Sequence, residues 1–278
     1  MTEEYQRLYD AVLAQWTVPV ESLDVETPFG VTRVHAAGPA DADPVVLLPG
    51  GGATSAVWFA VGSALAQTRR VYAVDLISDV GRTRPVAGAV RTRQDVTAWL
   101  EATLDGLGVE RADVVGHSYG AWIALAATLD TKRARRLALL DPTTSFAGFR
   151  FGYLWHSLPV ITKATPRRWR RFLAWETGGR PIDAASRELL AHSAQAENGA
   201  RLVMPKRFAA QELRALESPT LVVLAGKSKA HDVRKVGAGA TRLLRKVTVR
   251  TLPEASHHTL PTEDAAVATA MLEEFLGS

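Results

Sequence analysis

The chain contains no cysteine among its 278 residues. Disulfides, thiolate catalysis and cysteine-ligated metals are thereby excluded, although zero cysteine fits any redox compartment. Nor is there an uninterrupted apolar stretch near the roughly 18 residues that a membrane-spanning helix requires. The opening Met1-Thr2-Glu3-Glu4-Tyr5-Gln6-Arg7 is acidic and has no apolar h-region. Neither export nor a membrane partner is expected, and a cytoplasmic location is the default. The triplet Gly50-Gly51-Gly52 is not followed by Gly-Lys-Ser/Thr, and Gly-x-Gly-x-x-Gly is missing from the strand ends. Phosphate-loop, nicotinamide and flavin sites are therefore not indicated, and neither a cofactor nor a metal is expected. The formal charge of +4 is modest. Its basic runs, Lys132-Arg133-Ala134-Arg135-Arg136 and Arg167-Arg168-Trp169-Arg170-Arg171, read as solvated helix faces, and without a reading motif beside them nucleic acid is not an expected partner.

What is present describes an ordinary globular chain, 47% hydrophobic and 22% charged, able to bury one large core with a small insertion. Tyr5, Leu8, Tyr9, Val12, Leu13 and Trp16 recur at helical spacing over Glu3–Trp16 and predict a packed N-terminal helix that docks on the main domain. Strands are predicted at Ser22–Glu26, Thr32–Ala36, Pro44–Leu48, Arg70–Val74, Asp113–Val115, Leu137–Leu140, Thr220–Leu224 and Val247–Leu252. Several are continuous Val/Leu runs, the mark of strands covered on both faces. Helical patterns at Val57–Gln67, Gln94–Leu107, Ala121–Leu129, Val233–Arg245 and Asp264–Leu276 separate them, so a mostly parallel α/β sheet follows. Pro28-Phe29-Gly30 joins the first two strands as an antiparallel hairpin. Between Asp141 and Ser218 the alternation stops, and a stretch dense in Arg, Trp, Phe and Ala reads as a helical insertion.

The most informative residues are Gly116-His117-Ser118-Tyr119-Gly120, set between the apolar Ala112-Asp113-Val114-Val115 and Ala121-Trp122-Ile123-Ala124-Leu125. They put a serine at a sharp strand-to-helix corner. Residues two before and two after such a corner must be small to avoid collision, and both are glycine. With this G-x-S-x-G nucleophile elbow, the chain resembles the α/β-hydrolase superfamily over nearly its whole length. The resemblance implies an α/β fold with a mostly parallel eight-stranded sheet flanked by helices and a helical cap inserted after the sixth strand. Its expected boundaries are a core of residues 1–145 and 217–278, with the N-terminal helix in 1–18, and a cap of residues 146–216. Phe149, Phe151, Tyr153, Trp155, Trp169, Phe172 and Trp175 either line a substrate pocket from above or hold that cap together.

The resemblance also implies a serine nucleophile, Ser118, with an acid and then a histidine later in the chain. A serine hydroxyl needs a base within hydrogen-bond reach and a third group to hold that base in the right tautomer. His257, in the loop after the last strand, occupies the place of the catalytic histidine, and its neighbour His258 is the competing assignment. The usual acid position, three residues after Gly226, is Lys229, and lysine cannot orient an imidazolium. Asp141, at the end of the sixth strand, and Asp232, three residues beyond Lys229, are the two carboxylates that could replace it, and a Ser-His dyad or an inactive site is the remaining alternative. Each carboxylate has a plain structural role available, a turn before Pro142 for the first and a helix N-cap for the second.

For the oxyanion hole the resemblance implies the backbone amides of Tyr119 and Gly51. Pro49 stands where the family's loop carries histidine. The expected function is a cofactor-independent serine hydrolase acting on a carboxylic ester or related acyl substrate through a Ser-His-acid triad and an acyl-enzyme. Lys229 and Pro49 motivate the alternative of a catalytically impaired member of the fold that binds a small ligand. In either case the partner is a small molecule, and homo-oligomerisation is left open.

Overall fold

The structure is a computed structural model that describes residues 1–196 and 201–277. In chain order it contains α1 (Glu3–Leu13), β1 (Val20–Thr27), β2 (Gly30–Ala37), β3 (Pro44–Leu48), α2 (Phe59–Leu65), β4 (Arg70–Val74), β5 (Arg84–Pro85), α3 (Arg93–Gly106), β6 (Ala112–His117), α4 (Tyr119–Thr131) and β7 (Ala134–Leu140). Four helices follow, α5 (Phe151–Thr162), α6 (Pro166–Glu176), α7 (Ala184–Ala191) and α8 (Ala210–Arg214). The chain ends with β8 (Thr220–Ala225), α9 (Val233–Leu243), β9 (Val247–Leu252) and α10 (Ala265–Gly277).

All eight predicted strands form one sheet in the order β1-β2-β4-β3-β6-β7-β8-β9. The two-residue β5, unpredicted, pairs with β2 off this path. β1 and β2 make an antiparallel hairpin that closes at Thr27 opposite Gly30, and β2 also runs antiparallel to β4. Every later pairing is parallel. The Val/Leu runs form strands here because a parallel sheet is covered on both faces, so successive residues on opposite faces must both be apolar. In β3, Val46 and Leu48 join the layer that holds Trp99 of α3 and Trp122 of α4. Val45 and Leu47 join the opposite layer, with Val61 of α2 and Leu272 of α10. Fully burying one such side chain contributes about 1.5–3 kcal/mol.

Helices α5–α8 occupy the chain between β7 and β8, where the insertion was expected. Residues 197–200 of that expected segment lie outside the described residues. The N-terminal helix touches both the sheet and this segment. Tyr5, Tyr9 and Val12 pack with Leu189 and Ala196. The Tyr9 hydroxyl donates to Asp75 Oδ2 at 2.8 Å and lies 2.8 Å from His35 Nε2. Burial pulls His35 down to about 4, so its ring is neutral at pH 7. With the Tyr9 proton committed to Asp75, Nε2–H donates to Tyr9 and Nδ1 accepts from Ser22 Oγ at 3.0 Å.

Candidate active site

β6 is buried along its whole length and delivers the chain to Ser118, whose φ of 52° and ψ of −112° lie outside the usual regions for a residue with a side chain. The glycine spacing has a direct cause. A β-carbon on Gly116 would overlap the carbonyl of Gly120, and one on Gly120 would overlap the backbone of Leu48 and Pro49. The corner can therefore close only with glycine at both places, and closing it turns the Ser118 hydroxyl toward His257. Ser118 Oγ lies 2.8 Å from His257 Nε2.

His257 sits in the loop between β9 and α10 and is held through its backbone as well as its ring. Its amide donates to Glu176 Oε1 at 3.2 Å. Its carbonyl accepts from His117 Nε2 at 2.9 Å. Burial, reinforced by the charges of His257 and His258, drops His117 to about 3. His117 is thus neutral, and the proton it keeps on Nε2 is the one that holds the His257 carbonyl.

His257 Nδ1 meets Asp141 Oδ2 at 2.6 Å. Asp141 follows β7 directly with a φ of 43°, a turn that lays its carboxylate over the end of β8. Oδ1 accepts from the Ala225 amide at 3.0 Å, and Oδ2 accepts from Ser228 Oγ at 2.7 Å. His231 Nε2 lies 3.1 Å from Oδ1. Burial alone would favour the neutral acid, but the charge and hydrogen bond of His231, with those of His257, hold Asp141 well below the usual carboxylate range. With Asp141 ionised, the proton between the two residues belongs to Nδ1, which leaves Nε2 free to accept from serine.

Of the two candidate acids, the structure brings Asp141 to His257 and does not bring Asp232. Asp232 accepts from the Lys235 amide at 3.1 Å and caps α9. Lys229 turns instead to the inserted helices. Its ammonium donates to the Trp175 carbonyl and stands 4.8 Å from the centre of the Trp175 ring. His258, the rival histidine, gives its Nδ1 to Glu176 Oε2 at 2.9 Å. Burial opposes the charge on Glu176, yet the hydrogen bond and charge of His258 outweigh it and bring the carboxyl down to about 2.

Gly51 and Tyr119 both border the cavity beside Ser118, and a β-carbon on Gly51 would stand 3.6 Å from the β-carbon of Tyr119. The loop of Gly51 is tethered by Asp79, because the Gly52 amide donates to Asp79 Oδ2 at 2.8 Å. Burial raises Asp79 to about 6 against the two amide hydrogen bonds it receives, from Gly52 and Val80. The cavity, of about 230 Å³, has apolar walls that include Val57, Leu189, Leu190 and Met204. Of the seven aromatic residues considered for its roof, Phe149, Tyr153 and Trp169 border it. Phe172 and Trp175 pack behind Tyr153, at ring-centre distances of 5.3 and 6.4 Å. Phe151 and Trp155 are exposed.

Neither Glu176 nor Asp79 belongs to a sequence motif. One signal pointed to Glu176, which is the first acidic residue after Asp141. A lone carboxylate in so basic a stretch invites a search for its partner.

The chain belongs to the α/β hydrolase family, whose model matches residues 45–271. It is 28% identical over 267 residues to carboxylesterase YbfK of Bacillus subtilis, across 91% of this chain and 87% of that protein. Among solved structures it is similar to naproxen esterase (carboxylesterase NP) from Bacillus subtilis, with a TM-score of 0.90, 26% identity and 99% of each chain covered. The structure of carboxylesterase CesB (YbfK) from the same organism gives a TM-score of 0.89 at 25% identity, over 99% of this chain and 98% of that one.

Proposed function

We propose that this chain is a cofactor-independent serine hydrolase that cleaves carboxylic esters, with Ser118 as nucleophile, His257 as general base and Asp141 as the acid. The observation that carries the reading is the unbroken series from Ser118 Oγ to His257 Nε2 at 2.8 Å and from His257 Nδ1 to Asp141 at 2.6 Å. The similarity to two carboxylesterases points the same way.

Ser118 Oγ attacks the ester carbonyl while Nε2 takes its proton, and Asp141 stabilises the imidazolium that forms. The amides of Gly51 and Tyr119 receive the oxyanion. Collapse expels the alcohol with the proton from Nε2 and leaves an acyl group on Ser118. A water then gives a proton to Nε2 and attacks the acyl carbon, and Nε2 passes that proton to Ser118 Oγ as the acyl–oxygen bond breaks and the acid leaves. Residues 146–216 act as a cap whose Phe149, Tyr153 and Trp169, with Val57 and Leu189 below, give the substrate apolar surroundings.

Lys229 and Pro49 motivate the ligand-binding alternative, and Asp141 answers the first of these by supplying a carboxylate from a different strand. The test is turnover of a soluble 4-nitrophenyl butyrate. Ser118→Ala should lower kcat by roughly a million-fold, and turnover that survives the substitution would overturn the assignment.

A further inference from the structure

Helix α5 is apolar on two sides, and only one of them is covered. Ser157 and Val160 are buried, and Tyr153 turns to the cavity. Phe151, Leu154, Trp155, Leu158 and Ile161 repeat at helical spacing on the side left to solvent, with Phe151 79%, Ile161 72% and Trp155 63% exposed. Phe151 and Trp155 stack on each other, ring centres 6.4 Å apart. Leu202 and Met204, which border the cavity, are exposed apolar side chains as well. Isolated exposed apolar residues need no explanation, but a stripe of five on one helix, whose Tyr153 borders the cavity, marks an interaction surface.

The charge around the stripe selects its partner. No Asp or Glu occurs between Asp141 and Glu176, while Arg150, Lys163, Arg167, Arg168, Arg170 and Arg171 all lie there. Arg150 and Lys163 flank the two ends of α5. Arg168 and Arg170 are engaged, the first with the carbonyls of Pro159 and Lys163 and the second with Glu188. Arg150, Lys163, Arg167 and Arg171 are exposed. On the mouth side, Arg201, Lys206 and Arg207 flank Leu202 and Met204 and are exposed as well. A second copy of this chain would set one cationic rim against another. An anionic lipid surface offers what the patch lacks, an apolar interior for the stripe and negative headgroups for its rim.

We infer that the stripe of α5 docks the protein onto anionic lipid surfaces, with the pocket mouth facing the bilayer. This departs from the sequence-based expectation of no membrane partner, because the length of an apolar stretch tests for spanning and not for lying in the interface. Among the described residues no helix is long and apolar enough to cross a membrane, and the 12 residues of α5, about 18 Å of helix, fit the interfacial plane. The inference does not depend on the hydrolase reading.

The test is co-sedimentation of the full chain with phosphatidylglycerol vesicles and with phosphatidylcholine vesicles at low and at 0.5 M salt. The wild type should pellet with phosphatidylglycerol, much less with phosphatidylcholine, and be released by salt. Phe151→Ser/Trp155→Ser/Ile161→Ser should abolish binding, and Lys163→Gln/Arg167→Gln should weaken it roughly thirty-fold. All of these residues are exposed and none borders the cavity, so melting temperature and turnover of a soluble ester should stay at wild-type values and separate this result from the fate of the catalytic reading. Wild-type protein that stays in the supernatant with anionic vesicles, or pelleting that survives the triple substitution, would overturn the proposal. So would a dimer in light scattering that the triple substitution breaks.

Discussion

Glu176, at the end of α6, holds the loop of His257 through that residue's own amide, with 3.2 Å between its Oε1 and the His257 nitrogen. The inserted helices therefore position the proposed base. Glu176→Gln should raise KM little, lower kcat and reduce stability by on the order of 2 kcal/mol, since the His258 ring and the backbone amides of Lys229, His257 and His258 lose a charged acceptor. The folded carboxyl titrates near 2 against 4.5 when free, a depressed value. Its contribution to stability is full above about pH 4.5 and disappears as pH falls toward 2. Melting temperatures of the wild type and Glu176→Gln should converge across that window.

Asp141→Asn should lower kcat by about ten-thousand-fold with KM little changed, as loss of the tautomer-holding acid does in related chemistry. Asp232→Asn should leave kcat unchanged. Asp232 caps α9, and asparagine is as good a cap. Steady-state kinetics of the two variants separates the candidate acids.

Asp79 tethers the loop of Gly51 through the Gly52 amide. A carboxamide at this position has one acceptor oxygen where the carboxylate has two, so Asp79→Asn should lower kcat about tenfold through a displaced oxyanion donor. The stability effect has the opposite sign to that of Glu176. With the folded carboxyl at about 6 against a free value of 3.8, its contribution is present at low pH and lost as pH rises through about 6. The melting temperature of Asp79→Asn, taken relative to wild type, should therefore improve between pH 4 and pH 7.

How much of this was legible in the sequence depended on how local the cause was. The strands could be read because burial on both faces writes continuous Val/Leu runs, and Pro44–Leu48, Arg70–Val74 and Val247–Leu252 have the predicted bounds. The elbow could be read because steric exclusion at Gly116 and Gly120 acts within five residues. β5 was not readable, being two residues long with a proline. Asp141 could be named only as one of two, because the choice turns on a positive φ and on the Ser228–His231 loop folding back, neither of which spacing reports. The roles of Glu176 and Asp79 rest on contacts between segments distant in sequence. No local pattern announces such contacts.

Tyr9→Phe should destabilise the protein by about 2 kcal/mol, because the buried hydroxyl lies between Asp75, His35 and Ser55 and its loss leaves them short of a partner. For a chain of this size that is a fall of several degrees in melting temperature. Val12 borders the cavity from the same helix, so KM for long-chain esters should rise while that for acetate esters changes little.

The central claim is that Ser118 is a nucleophile activated by His257 and Asp141. Treatment with a fluorophosphonate followed by peptide mass spectrometry tests it most directly. The account predicts a single adduct on Ser118, absent in Ser118→Ala, nearly absent in His257→Ala, strongly slowed in Asp141→Asn and unchanged in Asp232→Asn. No adduct on the wild-type chain, or labelling of Ser118 that ignores His257, would contradict it.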